Sequence, residues 1–473
     1  MINFICKKKQ MLTSEQKRIL ELEDENRQLK ATVASLKADV ASLTDLVHQL
    51  LQEIDRLKHL KNSRNSSVPP SKDENRPFKT NSLRKADGKK PGGQTGHEGN
   101  TLKMSETPDS LVDHKPTFCN NCGNDISNNP MEISMRRQVV DIPPILPKYI
   151  EHRVFKTFCS CGHQTESSFP QGINATVSYG PNIEATIAYM HTRQYIPFER
   201  MGEYFRDVCN LPISQGAICN ILERFAIKAY PAYQLIATKV ENSNVVGADE
   251  TGAKVNGKTG WFWTWQSKLA TFITFSNNRG TATINDNFKN GFENAVLVHD
   301  CWRSHFETKV QTHQLCIAHL LRELVFLEEH YKHPWPIMFK QLLYDALELK
   351  KQLSESDYYY PINQRTELNQ RLLLLLQKPV DESLKELFAF QKRINKYKDY
   401  IFTFLYHHQV PPDNNASERA IRNIKVKQKV SGQFKTQRGA EIYAIIRSIT
   451  DTCNKNEQNI LSAFSTIAKL QPE

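Results

Sequence analysis

Three acidic residues, far apart in the chain, are the groups in this sequence best suited to chemistry. In Asn244-Val245-Val246-Gly247-Ala248-Asp249-Glu250-Thr251, short apolar residues lead to a carboxylate, and a polar turn follows. Ala295-Val296-Leu297-Val298-His299-Asp300 repeats the form, and Glu418 comes later in Asn414-Asn415-Ala416-Ser417-Glu418-Arg419. Two β-branched runs that each end on Asp are the pattern of a carboxylate metal site on adjacent strands. Hard carboxylate oxygens suit Mg²⁺ or Mn²⁺. Two such ions, roughly 3.5–4 Å apart, activate a nucleophile and stabilise a leaving oxygen in an in-line phosphoryl transfer. A single Asp at a strand end is more often a cap or turn residue, and Glu418 with Arg422 one turn later could be an ordinary surface pair. The repeated pattern, the order of strands and the basic surroundings favour catalysis.

Cysteine supplies a second chemistry. Cys119-x-x-Cys122-Gly123 is followed by Cys159-x-Cys161-Gly162-His163. Two tight pairs joined by a longer connection are the pattern of a structural Zn²⁺ site, and glycine after each pair lets the backbone turn round the metal. Four thiolates, Cys119, Cys122, Cys159 and Cys161, are the first choice of ligands; His163 could replace one, and unligated buried cysteines are the plain alternative. The other six cysteines are scattered, which suits a reducing compartment better than a disulfide framework.

The elements that would position the acids can be read from the flanking pattern. Lys258-Thr259-Gly260-Trp261-Phe262-Trp263-Thr264-Trp265 and Ala270–Phe275 alternate as strands. Thr281–Phe288 is helical in period, Val296–Asp300 is a strand, and Leu315-Cys316-Ile317-Ala318-His319 reads as a further strand after a helix-length gap. Three strands, then helix, strand, helix, strand is the ribonuclease H-like order, in which the first and fourth strands are neighbours. Residues 243–325 are therefore expected as the first part of that core. Leucine-rich helices over 326–405 form an insertion, with Leu372 to Leu376 too short for a membrane span. Residues 406–473 complete the core. There Asn414 or Asn415 caps a helix carrying Glu418, and the alternation of Lys425, Lys427 and Lys429 with Val426, Gln428 and Val430 predicts extended chain.

Ahead of the core the sequence changes character repeatedly. Residues 12–60 carry Leu at every seventh position from Leu22 to Leu57, with Ile19, Asn26, Val33, Val40, Val47 and Ile54 three residues before each. These are the d and a positions of a leucine zipper, and β-branched a residues favour a parallel homodimer with register fixed by Asn26. Residues 61–108 are a flexible linker rich in Pro, Gly, Ser and Lys; either this is a plain tether, or an arm whose cations, Lys89 and Lys90 among them, lie along phosphates. Residues 109–170 hold the cysteine pairs, with strands expected over Arg137–Pro144 and Tyr149–Phe155. Residues 175–240 are helical. Ser214 is an N-cap after the break at Leu211-Pro212-Ile213, which makes a candidate helix-turn-helix or an ordinary helical bundle.

Charge narrows the class of partner. The chain carries 62 Lys and Arg against 51 Asp and Glu, a net charge of +11. Residues 61–103 hold ten Lys and Arg against four acids, and residues 419–438 hold seven and none. Clustered positive charge attracts nucleic acid, although either cluster could serve solubility alone. Arg419, Arg422, Lys425, Lys427 and Lys429 would hold DNA phosphates beside the third carboxylate. No run reaches the roughly 18–20 apolar residues needed for a bilayer span, and the start is ordered wrongly for a secretory signal.

With these residues in place, nearly the whole chain resembles DDE transposases of the IS66 insertion-sequence type. The resemblance is carried by the zipper, Asn65–Ser71, Gly92-Gly93-Gln94-Thr95-Gly96-His97, the paired cysteines, Arg137–Pro143 and Ala248-Asp249-Glu250-Thr251. Gln314–Leu324, with Cys316-x-x-His319 inside it, and Asn414–Arg419 complete the match. The chain ends sooner than longer members, without their extra carboxy-terminal segment. The resemblance implies a multidomain α/β protein: coiled coil, small zinc-binding domain, helical domain, and ribonuclease H-like core with a helical insertion. It implies cleavage of transposon ends and strand transfer to target DNA, with Asp249, Asp300 and Glu418 holding two Mg²⁺, in paired subunits. A bacterial, cytoplasmic, nucleoid-associated location is expected. The rival readings are a non-catalytic zipper and zinc DNA-binding regulator with a relic nuclease core, and a nuclease that hydrolyses without strand transfer.

Overall fold

A computed structural model describes residues 13–58, 102–170, 172–173 and 175–471 of the chain. Lys89, Lys90 and most of the basic linker lie outside the described residues. The heptad segment is a single helix, α1 (Ser14–Lys58), whose 45 residues include no Gly or Pro. Its a and d side chains are exposed: Leu29, Val40 and Leu43 show 64, 61 and 60% of their surface, so nothing described in the same chain covers the seam.

Residues 102–170 have little regular structure. A short antiparallel hairpin, β1 (Lys156–Phe158) and β2 (Gln164–Glu166), follows the stretch where two longer strands are expected. Arg137–Pro144 and Tyr149–Phe155 form neither. Their apolar residues, Val139, Val140, Ile142, Ile150 and Phe155, are exposed, so nothing among the described residues lies over them to reward pairing.

From residue 175 the chain builds a mixed sheet with helices on both faces. Helices α2 (Pro181–Thr192), α3 (Phe198–Asp207) and α4 (Gln215–Glu241) come first. The expected break and cap precede α4, with Ser214 Oγ accepting the Ala217 N–H at 3.1 Å. Strands β3 (Val245–Val255), β4 (Lys258–Gln266) and β5 (Thr271–Ser276) then run as an antiparallel meander. The β3–β4 turn is Asn256-Gly257, both at positive φ (47° and 76°), the backbone that a two-residue hairpin requires. Helix α5 (Thr281–Asn287) leads to β6 (Phe292–His299), and α6 (Arg303–Phe306) leads to β7 (Val310–Leu315). The order across the sheet is β5-β4-β3-β6-β7, so β3 and β6, the two strands that lead to the aspartates, are parallel neighbours with Val245 opposite Val296.

The stretch expected as a strand over Leu315–His319 divides. Leu315 ends β7, and α7 (Ile317–Tyr331) begins two residues later. Ile317, Leu320, Leu324 and Leu327 are buried at helical spacing, a longer and stronger pattern than the short apolar run before it. Helices α8 (Pro334–Gln352), α9 (Asn363–Gln377) and α10 (Lys385–Lys396) follow. Of the consecutive leucines, Leu372, Leu375 and Leu376 are buried while Leu373 and Leu374 face water, as one helix face requires. Helix α11 (Asn415–Ser431) then runs through the segment expected as extended; its buried positions, Ser417, Ala420, Ile421, Ile424 and Lys427, keep the helical period across the Lys–Val alternation. Helices α12 (Gln437–Lys455) and α13 (Ile460–Ala468) finish the fold.

Alternate residues of a strand face opposite sides of the sheet. Val246, Ala248, Trp263, Trp265, Phe272 and Leu297 pack with α2, α4, α12 and α13 in one cluster, so the first helices share a core with the sheet and the chain's end. On the other face, Val296 and Val298 pack with α7 to α10. Farther along that face, Ala253, Val255, Phe262 and Phe275 pack with α11 and α12. Asp249 falls between these two clusters. Among the described residues no helix is long and apolar enough to cross a membrane.

Candidate active site

The site is assembled where α7 and α11 meet the sheet. Asp249 lies within β3 and accepts the N–H of Glu250 at 2.9 Å. Asp300 follows the last residue of β6 and accepts the Trp302 N–H at 2.9 Å. Glu418 occupies the first turn of α11, where Arg322 of α7 donates to both its oxygens at 3.1 and 3.5 Å. This pair replaces the Glu418–Arg422 surface pair that the sequence allowed.

Helix α11 is seated by Asn414. Its amide donates to the Ala248 carbonyl at 2.7 Å, next to Asp249, and its Oδ1 accepts the Ser417 hydroxyl at 2.6 Å. Asn414 holds the N-cap position, but its side chain braces the helix against β3 instead of capping it. The Asn414 N–H reaches the buried Cys316 sulfur at 3.2 Å, and the Ile317 N–H donates to the Pro412 carbonyl at 2.9 Å. Burial pushes the Cys316 thiol up to about 12, so it stays neutral and serves as a joint between the starts of α7 and α11. One turn along α7, His319 Nδ1 stands 3.7 Å from Glu418, too far for a hydrogen bond.

Charge accumulates here. Burial, then the charges of Asp300, Glu250 and Glu418, raise the Asp249 carboxyl well above the usual range, against the Glu250 N–H that favours its charged form. Glu250 behaves oppositely. Burial pushes it up, but the hydrogen bond from His305 and the charges of His305 and Arg279 outweigh that and hold it low. Glu250 and Glu418 thus have arginine partners, whereas among the described residues Asp249 and Asp300 form no ion pair. Carboxylates without an ion-pair partner are groups that suit a hard divalent cation. As the side chains stand, no three His, Cys, Asp or Glu among the described residues are close enough to hold one ion together.

The model of the Transposase IS66 family matches residues 176–442, more than half of the chain and all of the site just described. The chain belongs to the IS66 family of transposases. A family of unknown function, DUF6444, matches residues 12–103, which include α1. Among curated proteins, none matches the chain.

The five C-terminal cations of this transposase do not share one face. Arg419, Arg422 and Lys429 are exposed and, with Val426, form one stripe along α11. Lys427 is only 4% exposed and points into the protein, and part-buried Lys425 donates to the Gly252 carbonyl. The reason is the helix itself: alternation in sequence becomes a rotation of about 200° per step in α11, which turns Lys427 inward. In the cysteine region each pair forms a tight turn. The Gly123 N–H donates to the Cys119 carbonyl and the Gly162 N–H to the Cys159 carbonyl, both at 2.9 Å, with the glycines at φ 77° and 83°. The Asn121 N–H, then the Cys122 N–H and side chain, lower the Cys119 thiol, and the Cys161 N–H and side chain lower Cys159 first among several. Among the described residues the four thiols are not grouped round one point.

Sequence reasoning missed Arg322, the Glu250 network and the bracing role of Asn414. Arg322 did carry a signal: it lies one turn beyond His319, so the two reach the same side of α7.

Proposed function

We propose that this IS66-family protein is a DDE transposase that cuts and joins DNA at one metal-dependent site on a ribonuclease H-like sheet. Asp249, Asp300 and Glu418 would hold Mg²⁺ or Mn²⁺, which when bound would supply an activated attacking oxygen and a stabilised leaving oxygen. The observation that supports the reading is placement: Asp249 lies on β3, Asp300 follows the parallel neighbour β6, and Glu418 lies in the first turn of α11, which Asn414 ties to β3 beside Asp249. Beyond burial, Asp300 and Glu418 both help to raise the Asp249 carboxyl. Arg322 restrains Glu418, the Trp302 N–H orients Asp300, and Asn414 fixes the separation of α11 from Asp249. The exposed Arg419, Arg422 and Lys429 would run DNA phosphates past the site. Cys119, Cys122, Cys159 and Cys161 would hold a structural Zn²⁺, and α1 would pair two subunits.

The test is nicking of a duplex that carries the element's own terminal repeat. Wild-type protein with Mg²⁺ should cut at the repeat boundary, then join precut ends to target DNA. Asp249→Asn and Glu418→Gln should each abolish cutting and leave end binding in a gel-shift assay unchanged. Cutting retained in either variant would remove that residue from the site. Metal-indifferent wild-type protein that still binds ends would favour the regulator reading.

A further inference from the structure

Asp300 lies beyond the last hydrogen-bonded residue of β6, so the sheet does not fix its side chain. A chain of contacts that begins on β3 does. Glu250, with 2% of its side chain exposed, follows Asp249 and points to the opposite face. It receives Arg279 Nε at 3.0 Å and Nη2 at 2.9 Å, and His305 Nε2 lies 3.1 Å from its other oxygen. The Arg279 guanidinium lies 3.7 Å over the Trp302 ring, and Trp302 Nε1–H donates to the Arg279 carbonyl at 3.3 Å. Trp302 in turn gives its backbone N–H to Asp300 Oδ1, and among the described residues no donor reaches the second oxygen of Asp300.

We propose that Glu250, Arg279 and Trp302 are positioning residues that aim the Asp300 carboxylate, so that β3 sets both aspartates, one directly and one through this clamp. The inference rests on the metal-site reading above. A planar guanidinium is required because it must fork onto Glu250 and stack on Trp302 at once, which a lysine ammonium cannot do. Groups that orient metal ligands typically change metal affinity by 10–100-fold when altered.

The experiment uses the full chain with Arg279→Lys and, separately, Trp302→Phe, which keeps a ring for stacking and loses only the indole donor. Mn²⁺ binding is read by electron paramagnetic resonance of the free ion and by the metal-dependent rise in melting temperature; the Mg²⁺ dependence of nicking is read in parallel. Arg279→Lys should weaken Mn²⁺ binding by about tenfold or more at an unchanged metal-free melting temperature, with the nicking rate recovering at high Mg²⁺. Trp302→Phe should shift affinity in the same direction by less. A lower metal-free melting temperature with wild-type Mn²⁺ affinity in both variants would make the network a mere brace and overturn the proposal. Wild-type protein that binds no Mn²⁺ would overturn the metal site and the clamp together, so the two failures are distinguishable.

Discussion

Lys427 sits on α11 with 4% of its surface exposed, and the Ile196 carbonyl at 3.5 Å is its hydrogen-bond acceptor. Burial lowers its pKa from 10.5 to about 8. The unfolded chain therefore holds this proton more tightly than the folded one. At pH 7 both states are protonated, and the fold carries a constant cost on the order of 3 kcal/mol, taking about 1.36 kcal/mol per pKa unit. As pH rises from about 8 towards 10.5, folding favours release of the proton and that cost is relieved. Lys427→Met should thus stabilise the protein at pH 7 by roughly 1–3 kcal/mol and remove the part of the alkaline rise in stability that Lys427 contributes. Thermal melts from pH 7 to 10 measure both effects. DNA affinity should not change, because the ammonium does not reach the surface; weaker binding at low salt would mean that the side chain swings out to a phosphate.

Between elements, α11 fits tightly against β3. A Cβ at Gly247 would stand 2.6 Å from Gln266 Nε2 and Ser417 Oγ, and 2.8 Å from Asn414 Oδ1. Ser417 and Asn414 are bonded to each other, and Asn414 is also bonded to Ala248, so neither can turn aside cheaply. Gly247→Ala should force α11 off the sheet, cost about 1–3 kcal/mol in denaturant unfolding, and lower the nicking rate while end binding holds. Wild-type nicking with wild-type stability would show that the seat has slack. The neighbouring strands were legible beforehand because β-branched and aromatic runs alternate, and the apolar runs leading to Asp249 and Asp300 brought both into view. Only Asp300 follows a strand end, however: β3 continues past Asp249 to Val255 and no turn follows Asp249, the far half of the strand being paired with β4. The second half of α11 was not, since six alternating Lys, Val and Gln residues satisfy a strand pattern locally and only the buried Ile421, Ile424 and Lys427 reveal the helical period. The expected strands over Arg137–Phe155 failed for the opposite reason: local β-propensity was present, but among the described residues no partner surface covers it. Arg322 and the clamp on Asp300 depend on contacts between elements far apart in the chain, which spacing in one sequence does not encode.

At the scale of the whole molecule, α1 stands apart from the three apolar clusters, none of which includes any of its residues. Its seam is long: Ile19, Leu22, Leu29, Val33, Leu36, Val40, Leu43, Val47, Leu50 and Ile54 are all exposed. A continuous apolar stripe of this kind marks an interaction surface. The heptad spacing admits a partner helix with the same spacing, and Asn26 at an a position would set it parallel and in register. Burying each of these side chains favours pairing by roughly 1.5–3 kcal/mol at most, enough over the seam to offset the entropy of association. Sedimentation velocity on the full chain should therefore give a dimer. Leu36→Pro with Leu43→Pro should give a monomer, since each proline inside a helix costs about 3 kcal/mol and both fall in the middle of the seam. The melting transition of the sheet core should persist in that variant, because the core does not share apolar contacts with α1. A dimer that survives both prolines would move the subunit contact off α1, and the expectation that two active sites are brought together by the zipper would go with it.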